Sequence, residues 1–164
     1  MNKLAGLTLG RVALAALLGL SALAGPVLAH HSLAMYDGRK MLVFTGVVTR
    51  ISPGSSHVQI FFAPLDEARQ AVIRDGAGEP VIWSLELTSA GQAAREGVSV
   101  ATFPPGTIFS AGLRPLRSGD PGGNREGAMF KCPQNTPPAP GLHCDSVTGS
   151  TSHGEGALPV PNDE

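Results

Sequence analysis

Beyond residue 40, short apolar stretches alternate with clusters of Gly, Pro, Ser and Asp, a pattern typical of short β-strands joined by turns. Val58, Ile60 and Phe62 lie on one face of the second stretch, because side chains alternate along a strand. The pattern predicts five strands, over Met41–Ile51, His57–Phe62, Pro80–Leu87, Thr107–Leu113 and Gly127–Cys132.

Three local features refine these elements. Gly46 interrupts the first strand, where a bulge or a sharp bend would suit a barrel. Trp83 falls on the apolar face of the third strand and is expected to anchor the core. Thr88-Ser89 can cap a short helix, which is predicted over Ala90–Glu96 between the third and fourth strands.

The order of these elements predicts an all-β fold. Five short strands with one small helix between the third and fourth match a five-stranded Greek-key barrel of the OB type. A β-sandwich or a small barrel of another topology would use the same pattern. Residues 65–73 are expected to form a variable loop and residues 117–124 a second loop, and a segment near 143–147 is expected to return to the fifth strand.

The first 29 residues have the organisation of an export signal. Lys3 and Arg11 form a short basic n-region. The apolar stretch that follows, Val12–Ala24, has the length of a signal core and is too short for a typical membrane span. Cleavage is expected after Ala29, although cleavage after Ala24 fits the same rule. No cysteine stands at the end of the apolar stretch, where a lipid would be attached, so no lipid anchor is expected. We expect a soluble protein of the periplasm or a secreted protein.

The composition of the remaining chain limits its domains and partners. It is long enough for one small domain, over residues 30–148, followed by a disordered tail over residues 149–164 that lacks apolar periodicity. Without Lys3 and Arg11 it has 10 basic and 13 acidic residues, a formal charge of −3, and no basic run. Nucleic acid is therefore not an expected partner, whereas an envelope protein or a small ligand is.

Cys132 and Cys144 are the only cysteines, an even pair in a chain expected to reach an oxidising compartment. They flank a loop rich in Pro and Gly, and this arrangement predicts a disulfide between them. Closing a loop of this length would stabilise the fold by about 2–3 kcal/mol. A metal site that combines cysteine with His143 is the less favoured alternative.

Several short motifs together resemble a family of small exported bacterial proteins described only as a domain of unknown function. The motifs run from about His30 to Gly123; they are Ala29-His30-His31-Ser32, Tyr36-Asp37, Lys40, Gly46, His57, Trp83-x-x-Glu86, Arg95-x-Gly97, Pro105-Gly106 and Arg114-Pro115. The resemblance implies export and a small β-barrel, with no known activity. The chain departs from the family pattern at Leu33, Ser55-Ser56 and Val98, and its loop between His57 and Trp83 is longer.

The histidines are the candidate metal ligands. If His30 is the first mature residue, its α-amine and ring Nδ1 can chelate a metal, and His57 would complete a T-shaped set of three nitrogens suited to Cu(II). Such a set is similar to the copper brace of exported copper-binding proteins and lytic oxygenases. His31 is the substitute ligand, and Asp37 or Glu86 could lie axially or behind the ligands. The alternative is a flexible polar leader and a structural His57.

Other functions have less support in the sequence. Glu86 is expected to be solvated, although burial would raise its pKa and make it a candidate acid or base. No catalytic residue is predicted, because the serines lack a nucleophile-elbow context and no second acid stands at a supported separation, so an enzyme is the least favoured class. A binding module without a metal is the main alternative, and its surface would comprise Gln59, Phe61 and the loops near Ser55 and Gly119.

Overall fold

The structure is a computed structural model that describes residues 33–54, 56–134 and 136–162. The expected signal peptide and the candidate ligands His30 and His31 lie outside the described residues. None of the described helices is both long enough and apolar enough to cross a membrane.

Five strands close into a barrel, and a sixth short strand extends one side. In chain order they are β1 (Leu42–Pro53), β2 (Val58–Pro64), β3 (Trp83–Glu86), β4 (Ile108–Pro115), β5 (Gly122–Lys131) and β6 (Thr151–His153). The strand order is β3-β2-β1-β4-β5-β6, and β3 also pairs with β5 in parallel to close the barrel. Every other pairing is antiparallel. The predicted all-β, five-stranded Greek-key barrel of the OB type is confirmed.

The helix between β3 and β4 is also confirmed. Helix α1 spans Ala90–Arg95, and the hydroxyl of Ser89 accepts a hydrogen bond from the backbone N–H of Gln92 at its first turn. Ala93 is its buried residue and packs into the core. The helix therefore contributes one small apolar side chain to the core.

The apolar faces of the strands fill one core inside the barrel. Val58, Ile60 and Phe62 are each at most 4% exposed, as their alternation predicts. The Phe109 ring lies edge-on to two others, with its centroid 5.3 Å from that of Phe62 and 6.2 Å from that of Phe103. Such edge-to-face contacts add to the stabilisation from burial alone.

Trp83 occupies a different position from the one expected. It packs against Phe44, with ring centroids 4.6 Å apart, yet it is only partly buried. The apolar alternation of β3 is correct, since Leu85 and Leu87 on the same face are buried. Trp83 stands at the start of this strand and also lines a cleft described below.

The glycines of β1 and β5 mark close approaches. The irregular register of β1 lies between Val48 and Arg50, not at Gly46 as expected. A Cβ on Gly46 would stand 2.5 Å from the Phe62 ring, so this glycine makes room for a core side chain. β5 begins at Gly122, within the expected loop, because β3 and β4 both pack closely on its first residues.

The chain after β5 is held on the barrel. The predicted disulfide between Cys132 and Cys144 is present. The segment expected to return to β5 near residues 143–147 instead contains a 3-10 turn over Cys144–Ser146, and the strand that pairs with β5 is β6. Residues from Gly149 onward were expected to be disordered, yet β6 is ordered and Asn162 pairs with Met41.

Backbone pairing and one histidine explain the order of this segment. The His153 imidazole lies 2.8 Å from the carbonyl oxygen of Glu96 through Nδ1, and its ring stands edge-on to Phe103 at 4.8 Å. Glu96 in turn forms an ion pair with Arg125, with atoms 2.6 Å apart. Neither feature has a periodic apolar signature, which is why the sequence pattern does not predict it.

Candidate functional site

His57 and Glu86 meet at the start of β2. His57 immediately precedes this strand, and Glu86 on β3 is paired with Gln59 of β2 and with Asn124 of β5. His57 Nδ1 lies 2.9 Å from Glu86 Oε1, an ion pair whenever the imidazole is protonated. The two side chains are 33% and 12% exposed, respectively. Glu86 is therefore largely covered, unlike the solvated carboxylate that we expected.

Tyr36 lies in the segment before β1, residues 33–41, which we call the N-terminal segment, and it covers Glu86. Its phenol donates a hydrogen bond to the Glu86 carboxylate, and the residue is 6% exposed. Burial, followed by the charge and the hydrogen bond of Glu86, raises the pKa of Tyr36 to about 12. The carboxylate thus contacts both an imidazole and a phenol, and the three side chains form the Tyr36–Glu86–His57 cluster.

The N-terminal segment reaches this cluster along the end of β4. The backbone N–H of Asp37 donates to the Pro115 carbonyl over 2.8 Å, and Arg117 contacts the segment twice. Its backbone N–H donates to the Met35 carbonyl, and its Nε donates to the Tyr36 carbonyl. These bonds fix the backbone on both sides of Tyr36, so the position of the phenol is set by the barrel itself.

Tyr36 was not among the predicted site residues. Its contact partner Glu86 is 50 positions away in the sequence, and no local spacing indicates such a contact. The signals that could have indicated it are its place in the Tyr36-Asp37 motif and its status as the single tyrosine of the chain. A buried phenol needs a hydrogen-bond partner, which a polar strand residue such as Glu86 can provide.

Asp37 lies in other surroundings. Its carboxylate accepts the backbone N–H of Arg39 and lies 3.6 Å from the Arg39 guanidinium. The backbone hydrogen bond, aided by the charges of Arg39 and Arg117, lowers the pKa of Asp37 below its usual value. Of the two carboxylates that we considered for the metal site, only Glu86 lies against His57.

The other described histidines have structural surroundings. His143 Nδ1 lies 2.9 Å from the Thr45 hydroxyl, which also contacts Ser110, and burial lowers the pKa of His143. Cys144 beside it is in the disulfide, so this cysteine provides no thiolate for the alternative metal site. His153 contacts the end of α1. His57 is therefore the described histidine with a carboxylate contact at its ring nitrogen.

The described residues do not complete a metal site by themselves. Within residues 33–54, 56–134 and 136–162, no group of three or more His, Cys, Asp and Glu side chains converges in a way that could hold a metal ion. His57 with Glu86 behind it fits one ligand and its supporting carboxylate. Further donors from this chain would have to lie outside these ranges, as His30 and His31 do.

The expected ligand surface at Gln59 and Phe61 is partly covered. The guanidinium of Arg50 lies 3.9 Å from the centroid of the Phe61 ring, in a cation–π contact. Gln59 is partly exposed, and it pairs across the strands with Glu86. A flat ligand would have to displace Arg50 before it could stack on Phe61.

The ionisation of Tyr36 provides a direct test of the cluster. We expect its phenolate absorbance to appear with a midpoint near pH 12, read without interference because the chain has one tyrosine. Glu86→Gln should lower that midpoint, yet leave it above 10.0, because burial is the largest cause of the shift. Since the folded pKa is raised, the contact stabilises the fold fully below the unfolded pKa and its contribution is lost as pH rises through about 12. A wild-type midpoint near 10 in the folded protein would rule the contact out.

Comparison with known proteins identifies a family without a known function. A family model described as "Family of unknown function (DUF6152)" matches residues 16–125. No curated protein and no solved structure matches the chain.

Proposed function

The chain belongs to DUF6152, a family of unknown function, and from the geometry of its site we propose that it is a soluble exported protein that binds Cu(II). The ligands in this proposal are the α-amine and the imidazole of His30 together with the imidazole of His57. His31 is the alternative to one of the two imidazoles. The protein acts by binding, in the periplasm or outside the cell, and catalysis is not part of the proposal.

The observation that carries the proposal is the contact of Tyr36 with Glu86, the carboxylate that lies against His57. Tyr36 is six residues after His30 in the sequence. An extended chain advances about 3.3–3.6 Å per residue, so six residues reach at most about 20–22 Å. Because the phenol of Tyr36 already touches Glu86, chain length permits His30 to meet His57.

The contact between Glu86 and His57 suits a metal ligand. A carboxylate against Nδ1 favours the tautomer with its proton on that nitrogen, which leaves the lone pair of Nε2 for a metal. The carboxylate also orients the ring and makes it a stronger donor. Cu(II) prefers a tetragonal set of nitrogen and oxygen donors and binds such sites more tightly than the other divalent first-row metals.

Export supplies the remaining condition. The basic n-region and the apolar stretch Val12–Ala24 support passage through a secretion pathway, and removal of residues 1–29 would create the free α-amine of His30. The same amine would be absent before cleavage, because His30 would then be within the chain. Copper binding by this set is therefore a property of the exported form only.

The proposal is tested by electron paramagnetic resonance of the exported protein with one equivalent of Cu(II). We expect superhyperfine lines from three nitrogens in the wild type and fewer in His57→Ala, because one imidazole donor is lost. His153→Ala is the matched control, since it removes an imidazole that contacts Glu96 and Phe103 instead of Glu86. Identical spectra for wild type and His57→Ala would exclude His57 as a ligand.

A further inference from the structure

A cleft of about 280 Å³ is lined by Trp83 and by residues near Asp37 and Arg117. We call it the Trp83 cleft, and the residues that define it here are Asp37, Lys40, Leu42, Trp83, Arg117 and Asp120. None of the proposed copper ligands belongs to it. Its volume is just below the range of about 300–1,000 Å³ that is typical of sites for drug-sized ligands, so its ligand is small.

The cleft combines an apolar floor with balanced charges at its rim. Trp83 and Leu42 are partly buried and present apolar surface to the cleft. Lys40 and Arg117 provide two positive charges, and Asp37 and Asp120 provide two negative charges. The charges of the lining residues balance, and the Arg39 guanidinium beside Asp37 is 84% exposed and lies outside the lining. A ligand with a single charge would therefore meet as many repulsive as attractive lining groups. A zwitterion can pair each of its charges with an opposite group.

The rim groups are held in place before a ligand arrives. Arg117 Nε donates to the Tyr36 carbonyl over 3.0 Å, and the Asp120 carboxylate accepts a hydrogen bond from the Ser118 hydroxyl over 2.8 Å. Lys40 follows a turn that is closed by its backbone N–H and the Asp37 carbonyl. Such preorganisation reduces the entropy that binding must overcome.

From the volume, the apolar floor and the balanced rim, we infer that the Trp83 cleft binds a free α-amino acid with an apolar side chain. The carboxylate of the ligand pairs with Lys40 and Arg117, its ammonium group faces Asp37 and Asp120, and its side chain covers Trp83. The inference does not depend on the proposed copper site, because the two sites share no residue.

The test uses the exported protein, freed of metal by a chelator that is then removed, with L-leucine as the probe. The single tryptophan gives one indole N–H signal in a proton–nitrogen correlation spectrum, and this signal is assigned to Trp83 without mutagenesis. Leucine should shift it saturably with a Kd at or below about 1 mM, a range reasonable for so small a ligand. Calorimetry should return the same Kd.

Two matched ligands and two matched variants make the test specific. Isocaproate lacks the ammonium group and leucinamide lacks the carboxylate, and each should bind about tenfold more weakly than leucine. Lys40→Met should weaken leucine binding about tenfold. Lys131→Met makes the same charge change away from the cleft, where Lys131 donates to the Thr102 carbonyl, and should leave the Kd unchanged.

Three outcomes would overturn the inference. The first is the absence of both heat and an indole shift at about 10 mM leucine, a concentration well above the expected Kd. The second is isocaproate or leucinamide binding as tightly as leucine, which would show that the ligand need not be a zwitterion. The third is an unchanged leucine Kd in Lys40→Met. Because metal-free protein is used, none of these outcomes bears on copper binding.

Discussion

An exported chain with an additional Ala-Pro pair before His30 is expected to bind Cu(II) at least about 100-fold more weakly than the natural mature protein, because the proline nitrogen has no hydrogen to lose and the extension cannot form a new amine-and-amide copper site. The extension converts the α-amine of His30 into an amide and so removes the chelate ring that the amine and Nδ1 form with the metal. Mutation of a residue that hydrogen-bonds to a metal ligand typically reduces metal affinity about 10–100-fold, and removal of a ligand itself should reduce it at least as much. Competition with a chromogenic copper chelator at neutral pH measures the difference.

A second variant, Glu86→Gln, tests the carboxylate that supports His57 separately from the ligands themselves. Glu86→Gln retains the size of the side chain and removes its charge, so copper affinity should fall about 10–100-fold while the N-terminal amine remains intact. The Ala-Pro extension itself should leave the thermal midpoint of the metal-free protein unchanged, which would show that the extension does not act through the fold. Equal copper affinity with and without the extension would mean that the amine of His30 is not a ligand.

Truncation of Phe109 is expected to cause the largest loss of stability. Phe109 is 1% exposed and lies against the rings of Phe62 and Phe103 in the centre of the core. Replacement of a buried phenylalanine by alanine typically costs about 3–5 kcal/mol, from lost burial and from the cavity that remains. Urea unfolding followed by the fluorescence of Trp83, the single tryptophan, gives the free energy of unfolding directly.

Val160→Ala is the control for this measurement. Val160 is 83% exposed, so its truncation should change the free energy of unfolding by less than about 0.5 kcal/mol. If Phe109→Ala cost no more than this control, Phe109 would not be in a packed core. A large loss in Val160→Ala would instead contradict the exposed position of that residue near the C-terminal end.

The sequence predicts the barrel where apolar side chains alternate. The alternation of Val58, Ile60 and Phe62 is a local signal, and all three side chains are buried in the structure. The cap of α1 by Ser89 is a second local signal that the structure contains. The order of these elements was then enough to indicate the OB-type topology. The first residues of β5 escaped prediction because Gly122 and its neighbour have no side chains to show a pattern, although close packing requires them.

The segment after β5 has a different kind of stability. β6 is three residues long and is exposed or half-buried, so it has no apolar periodicity that a sequence could reveal. It is held by backbone hydrogen bonds to β5 and by the contacts of His153 with Glu96 and Phe103. Interactions of this type depend on the finished barrel, and a local pattern does not encode them.

The candidate site was predictable in part. The sequence identified His57 and Glu86 separately, because His57 begins the second predicted strand and Glu86 lies in the Trp83-x-x-Glu86 motif of the third. Their contact depends on the register between β2 and β3, and the burial of Glu86 depends on Tyr36 arriving from the N-terminal segment. Only the folded barrel shows that the same carboxylate contacts the imidazole and the phenol.

Native mass spectrometry of the exported protein after addition of one equivalent of Cu(II) tests the central proposal most directly. The same spectrum gives the first residue of the chain and the number of bound metal ions. The account predicts a chain that begins at His30 and carries one copper ion, and a smaller copper-bound fraction in His57→Ala under the same conditions. A chain that begins at Gly25, or a His30 chain that stays metal-free, would contradict it.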